Sequence, residues 1–236
     1  MAHPSTTTSV PTCLGFIMDG NRRWAKEQGV PSVQGHKKGF EVWQESVQWV
    51  RDAGIPHAVY YAFSTENWRR SDEEVGYLMD LFRSTLGEIR DRLDKEDSEK
   101  PVHVRTIGRR EDFASDIQDT MAELEARNRE GEAHTTIWLA LSYGGRAEII
   151  DAANRAIASG APVSEATFEQ LLWSAELPDP DLIVRTGGEQ RLSNFMTWRS
   201  VYSEFLFLEK YWPALTKADF ADILAAYAAR ERRCGR

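Results

Sequence analysis

The chain has 236 residues, of which 42% are hydrophobic and 28% charged, with a formal net charge of -8. That length suits one large domain burying roughly 70 to 75% of its unfolded surface, and the acidic balance argues against nucleic acid or anionic lipid as a bulk electrostatic partner, so any anion site has to be a local arginine cluster. No run of about 18 apolar residues occurs, and Cys13 and Cys234 form neither a zinc pair nor a disulfide framework, so a cytoplasmic protein is expected.

In chain order, a Ser/Thr/Pro-rich tail over residues 1–12 precedes six short apolar runs that read as strands: Leu14 to Met18, His57 to Phe63, Val102 to Ile107, Thr135 to Leu141, Asp181 to Val184 and Glu204 to Leu208. Between the first two, Phe40, Trp43, Val47 and Val50 recur at helical spacing and Gly54 follows as a stop. Ser71-Asp72-Glu73-Glu74 reads as a capping box opening a long helix through Leu78, Leu81, Phe82, Leu86 and Ile89. The charged stretch from Arg90 to Lys100 reads as a solvated end of that helix. Further helices are expected to start near Phe113, Arg146, Thr167 and Thr216. This alternation predicts an α/β fold: a single domain with a central, mainly parallel six-stranded sheet flanked by helices on both faces.

In such sheets ligands gather beyond the carboxyl ends of the strands. The rule selects four segments: Asp19 to Trp24, Ser64 to Arg70, Gly144 to Arg146 and Arg185 to Ser193. In the first, a glycine permits close backbone approach, the arginines supply charge-assisted bonds to an anion, and Asp19 makes sense if a divalent cation sits between it and a phosphate. A plain strand-to-helix turn capped by Asn21 or Asp19 is the simpler alternative. The second, Ser64-Thr65-Glu66-Asn67-Trp68-Arg69-Arg70, is either a polar surface loop or part of the same site. The fourth sets paired glycines between Arg185 and Arg191 with Ser193 nearby, either a tight surface turn or the arrangement an oxyanion cradle needs. His36 could bond a phosphate or simply start a helix, and Trp43, Trp49, Phe82, Trp138 and Trp173 read as core. P-loop, dinucleotide, zincin and nucleophile-elbow motifs are all missing. Taken alone, these segments also leave room for a phosphate-binding hydrolase.

In sequence order the segments resemble the signatures of the cis-prenyltransferases, the isoprenyl transferases that include undecaprenyl diphosphate synthase. The likeness runs from Gly15 to Ala25 through Gly35-His36, Tyr61 to Trp68, Tyr143 to Arg146 and Arg185 to Phe195, and closes with Tyr202-Ser203-Glu204 and Arg230-Glu231-Arg232-Arg233. It implies a catalytic domain over residues 13–236 that acts as a homodimer, requires Mg2+, and condenses isopentenyl diphosphate with an allylic diphosphate, farnesyl or geranyl. The product would be a longer cis-polyprenyl diphosphate, a lipid carrier for cell-wall or glycan synthesis, released with transient peripheral contact at the membrane.

The resemblance also assigns roles. Asp19 would hold the metal with Glu204 as a second contact; Gly20, Asn21, Arg22, Arg23, Trp24 and His36 would surround the allylic diphosphate. Asn67 would help remove the proton, with Ser64, Thr65, Glu66, Trp68 and Arg70 in the same substrate loop. Arg185, Arg191, Leu192 and Ser193 would bind isopentenyl diphosphate. A growing hydrocarbon needs an apolar tunnel, which the strand Thr135 to Leu141 and the helix Val75 to Leu93 could line. Two departures stand out: Ser32 replaces a common diphosphate-binding arginine, so that one phosphate contact is either lost or supplied by Arg22 or Lys37, and Cys234 replaces a phenylalanine near the end of the chain.

Overall fold

The structure, a computed structural model, describes residues 10–93, 101–128 and 133–230. The outer part of the charged stretch, residues 94–100, lies outside the described residues, as do residues 1–9 of the tail and residues 231–236 with Cys234. All six expected strands are present: β1 (Cys13–Ile17), β2 (His57–Ser64), β3 (Val102–Ile107), β4 (Thr135–Tyr143), β5 (Leu182–Arg185) and β6 (Glu204–Phe207). They form one sheet in the order β3-β4-β2-β1-β5-β6, and every pairing is parallel. β1 and β4 are buried at every position, as expected of strands covered on both faces.

Seven α-helices complete the described fold: α1 (Asn21–Glu27), α2 (Ser32–Asp52), α3 (Asp72–Leu93), α4 (Ser115–Arg127), α5 (Gly145–Ser159), α6 (Glu165–Glu169) and α7 (Lys217–Ala228). Residues of α2, α3, α4 and α7 join Leu14, Tyr60, Leu139 and Val184 in the larger core, on one face of the sheet. The opposite face carries a smaller core of Ile17, Val59, Trp138, Ile183, Phe195 and Met196. On α2, Trp43 and Val50 are buried while Phe40 and Val47 are half-buried. α3 has the same mixed character, burying Leu78 and Leu86 but leaving Leu81 and Phe82 half-exposed. Both helices therefore face a space they do not fill.

Strand order fixes where a ligand can sit. The chain builds outward from β1 through β2 on one side, then returns to lay β5 on the other. β1 and β5 thus flank the point where the winding reverses, and the crevice beyond their carboxyl ends is where doubly wound sheets bind ligands. Asp19 follows β1, and the segment from Arg185 to Ser193 follows β5.

Candidate active site

β1 leads into Asp19 through a backbone that is held on both sides. The Asp19 N–H donates to Thr186 Oγ1 at 3.0 Å, and its carbonyl accepts from Thr186 Oγ1 at 2.7 Å and from the Trp212 N–H at 3.0 Å. Gly20 then adopts a φ of +106°, and a Cβ there would lie 2.6 Å from Tyr211 Cδ1. Only glycine makes this turn, which launches α1 with Asn21, Arg22 and Arg23 in its first residues. Gly20 occupies the cap position and, having no side chain, supplies no capping hydrogen bond, so neither Asp19 nor Asn21 is the helix cap. Gly35 lets α2 press against α1, since any side chain there would collide with the Asn21 carbonyl.

The Asp19 carboxylate accepts from Arg185 Nη2 at 2.8 Å and from the Gly20 N–H at 2.6 Å, and lies 3.2 Å from Arg23. Burial alone would raise its pKa, but Arg185, Arg23 and the Gly20 N–H outweigh burial and hold the carboxyl below its ordinary value. The Arg185 side chain is only 4% exposed, and its Nη1 donates to Ser193 Oγ at 2.8 Å and to the Arg191 carbonyl. Ser193, Asn194 and Met196 all have positive φ, so this loop is strained where it meets the site. Asn194 bonds Glu66 and the Arg146 N–H, clamping the loops after β2, β4 and β5 together.

Two polar cavities share Asp19. The larger, about 530 Å³, is lined by Asp19, Ser64, Asn67, Arg70, Arg185 and Ser193 among others. The smaller, about 320 Å³, is lined by Asp19, Gly20, Asn21, Arg22, Arg23, His36, Arg70 and Arg191. Both reach Met18, and Met18 also lines an apolar cavity of about 100 Å³ between α2, α3 and the sheet, walled by Phe40, Leu78, Leu81, Phe82, Leu139 and Leu141. Two arginine-bearing compartments therefore adjoin one hydrocarbon-lined space at Met18.

The prenyltransferase family model described as undecaprenyl diphosphate synthase matches residues 17–235. The chain is 42% identical to an isoprenyl transferase of Thermotoga maritima, over 96% of this chain and 97% of that protein. It is 37% identical to the farnesyl-diphosphate-specific ditrans,polycis-undecaprenyl-diphosphate synthase of Micrococcus luteus, over 96% and 92% of the two chains. The crystal structure of lavandulyl diphosphate synthase from Lavandula x intermedia, determined with dimethylallyl diphosphate, superposes with a TM-score of 0.91 at 33% identity, covering 97% of this chain and 99% of that one. The chain belongs to the undecaprenyl diphosphate synthase family of prenyltransferases.

Within this prenyltransferase, the structure gathers most of the expected residues but not all. Asp19, Ser64, Glu66, Asn67, Arg70, Arg185 and Ser193 meet around the larger cavity, and Gly20, Asn21, Arg22, Arg23 and His36 around the smaller. Arg22 lines the smaller compartment, whereas Lys37 lines neither. The Arg191 backbone carbonyl meets Arg185, but Arg191 lines the smaller cavity and not the larger one lined by Arg185 and Ser193, and Glu189 holds its guanidinium at 2.5 Å.

Five expected residues lie elsewhere. Trp68 packs edge-on against Phe63 and Phe113 while its Nε1 donates to Ser142 Oγ at 2.8 Å, so it buttresses the loop from behind. Thr65 bonds Glu66 and packs under Gly144. Leu192 packs on the smaller core, and Trp24 lines neither polar cavity. Glu204 is the fifth. It begins β6, its neighbour on β5 is Leu182, and it pairs with Arg230 at 2.5 Å. Asp19 lies beyond the opposite, carboxyl ends of these parallel strands, so Glu204 cannot share a metal with Asp19 of the same chain. Among the described residues no group of three or more His, Cys, Asp or Glu is placed to hold a metal.

Glu74 was hidden in the sequence by its second role. Its N–H does bond Ser71 Oγ at 3.3 Å as half of a capping box, but its carboxylate turns to Arg70 at 2.9 Å, Arg22 at 3.6 Å and His36 at 3.4 Å. Burial and the nearby Arg70 lower the His36 pKa, so at neutral pH His36 is an uncharged ring beside Glu74 rather than an ion-pair partner. Met18, next to Asp19 in the segment the sequence singles out, and Tyr61 were given no role by the sequence; Tyr61 Oη donates towards the Ser193 and Tyr143 carbonyls at 3.2 and 3.3 Å. Nothing in a strand's apolar run signals that one of its residues borders three cavities.

Proposed function

We propose that this prenyltransferase condenses isopentenyl diphosphate with an allylic diphosphate, farnesyl or geranyl, to give a longer cis-polyprenyl diphosphate that serves as a lipid carrier. The observation that carries this reading is the pair of arginine-bearing cavities that share Asp19 and adjoin the apolar space at Met18. Arg22, Arg23 and Asn21 receive the allylic diphosphate in the smaller cavity. Arg185 and Ser193 receive isopentenyl diphosphate in the larger, joined by Arg191 once it leaves Glu189. As the allylic C–O bond breaks, charge grows on the departing diphosphate, and preorganised arginines stabilise it more than the ground state. A C–C bond forms to the isopentenyl double bond and one proton is lost. Asn67, whose Oδ1 accepts the Ser64 N–H at 3.0 Å, has a fixed amide orientation and positions the isopentenyl unit for that loss.

Asp19 suits Mg2+ by its chemistry: it is ionised, partly exposed and set between the two diphosphate cavities, and Mg2+ commonly uses one carboxylate together with substrate phosphates. Bound there, the ion would neutralise charge on the leaving diphosphate. A homodimer fits the exposed Ile150 and Ile157, one α5 face, together with Val163, Val201 and Tyr202. No described helix is long and apolar enough to cross a membrane, and we place the enzyme in the cytoplasm with peripheral membrane contact on product release. The test is incubation of the purified protein with isopentenyl diphosphate, farnesyl diphosphate and Mg2+ followed by chromatography; absence of any extended lipid refutes the reading.

A further inference from the structure

β4 does not reach the site as a regular strand. From Phe63 to Ser64 β2 advances one residue while its partners on β4 advance two, from Leu141 to Tyr143, so Ser142 is the extra residue of a bulge. Ser142 is fully buried and has a φ of +46°, a conformation a serine adopts only under strain. Bulges beside a site re-aim a side chain, and this one turns the Ser142 hydroxyl to two neighbours on separate loops. Trp68 Nε1 donates to Ser142 Oγ at 2.8 Å, and Ser142 Oγ donates to Asp112 Oδ2.

Asp112 reaches the bulge because the chain folds back tightly after β3. Gly108 has a φ of +122° and lies where any side chain would run into the Leu141 carbonyl. The Arg109 N–H then donates to the Ser142 carbonyl at 3.3 Å, and the single turn Arg110–Asp112 brings the Asp112 carboxylate to the hydroxyl. Phe113 follows, buried against the Trp68 and Phe63 rings.

The direction of these bonds has one solution. An indole N–H only donates and a carboxylate only accepts, so the single Ser142 proton goes to Asp112 and a lone pair faces Trp68. Without Asp112 the hydroxyl is free to turn its proton towards the indole N–H, which cannot accept it. We propose that Asp112 is a positioning residue for the substrate loop: by taking the Ser142 proton it fixes the bond that holds Trp68, and through Trp68 the setting of Ser64, Glu66 and Asn67 in the larger cavity. Asp112 itself is exposed and lines neither polar cavity. Arg70, which lines both, is held separately by Glu74 at 2.9 Å, so the effect falls chiefly on the larger cavity. The inference rests on reading that cavity as the isopentenyl diphosphate site.

The test follows the Trp68 indole N–H resonance in the full chain with isotope-labelled tryptophan, assigned by its loss in Trp68→Phe, together with steady-state kinetics. Asp112→Ala and Ser142→Gly, the second chosen because glycine accepts a positive φ, should shift the resonance and speed its exchange with water. Both should raise the apparent KM for isopentenyl diphosphate about tenfold and change that for farnesyl diphosphate far less. Asp112→Asn, whose amide oxygen can still accept the proton, should restore both readings. Circular dichroism checks the native fold, and if Ser142→Gly fails to fold the two Asp112 variants decide. An unmoved resonance, an unchanged KM for isopentenyl diphosphate, an equal rise for both substrates, or an Asp112→Asn as defective as Asp112→Ala each overturns the proposal. Should the protein make no extended lipid, the substrate reading falls, and calorimetric titration with inorganic pyrophosphate replaces the kinetics: binding weakened in Asp112→Ala and restored in Asp112→Asn supports the positioning role, and unchanged binding overturns it.

Discussion

The Asp19–Arg185 pair joins two loops 166 residues apart, and a double-mutant cycle measures what it is worth. Arg185→Met removes the 2.8 Å bond to Asp19 and the 2.8 Å bond to Ser193; Asp19→Asn keeps the shape and removes the charge. A charge-assisted hydrogen bond contributes about 1.5 to 3 kcal/mol. The Asp19 side chain is 31% exposed, so water screens the pair and the lower half of that range applies, a coupling of about 1.5 to 2 kcal/mol in urea unfolding at pH 7. The pH dependence has a definite sign. The folded-state pKa of Asp19 lies below its reference value of 3.8, so the stabilisation is fully present above that value and is lost as pH falls through the folded pKa. The coupling should therefore be constant between pH 5 and pH 7, expressed as differences on the order of 0.3 kcal/mol at most, and shrink under stronger acid. A coupling under about 0.5 kcal/mol at pH 7, or one that grows on acidification, would refute the assignment. Turnover of Asp19→Asn should fall further than stability does, on the order of 10² to 10³ in kcat, because the carboxylate proposed to hold Mg2+ beside the leaving diphosphate loses its charge.

Gly20→Ala should destabilise the fold by about 2 kcal/mol, since a side chain at φ +106° is strained and meets Tyr211; calorimetric or urea unfolding reads it directly. Glu204→Gln should cost under about 1 kcal/mol, the worth of a half-exposed pair with Arg230, and a monomeric preparation should bind pyrophosphate as before. Weakened binding there would return Glu204 to the site. Asn67→Ala should lower kcat while leaving the apparent KM for the allylic substrate little changed; the reverse pattern would make Asn67 a binding residue only. Arg191→Ala should raise the apparent KM for isopentenyl diphosphate about tenfold, and a rise confined to the allylic substrate would assign Arg191 to the cavity where it now rests.

The sheet was legible because fully buried parallel strands appear as uninterrupted apolar runs: β1 and β4 are covered at every position, and each was readable to within two residues. Most of the site was legible too, because residues just past strand ends are brought together by topology alone. What sequence could not supply was the direction of individual side chains. Trp68 shares a loop with Asn67, yet its indole turns back to Ser142, a partner on β4 that is distant in sequence. Glu204 lies on the right sheet at the wrong end, and strand polarity, not residue type, decides that. Glu74 was correctly placed at a helix start, but its carboxylate left the cap for three basic groups contributed by α1, α2 and the loop before α3.

The central place of β1 also governs when the enzyme can exist. β1 meets β2 early in synthesis, but its other edge stays open until β5 emerges, and until then Asp19 faces water without Arg185, Thr186 or the Trp212 N–H. A chain stopped before residue 182 would carry an unpaired central strand, buried on both faces in the finished sheet and therefore apolar throughout, which is a template for association with other chains. Such non-local closure is slow in isolated domains. The last quarter of the polypeptide, from β5 on, thus supplies both Arg185 and Ser193 of the anion site and the cover for the open edge of β1.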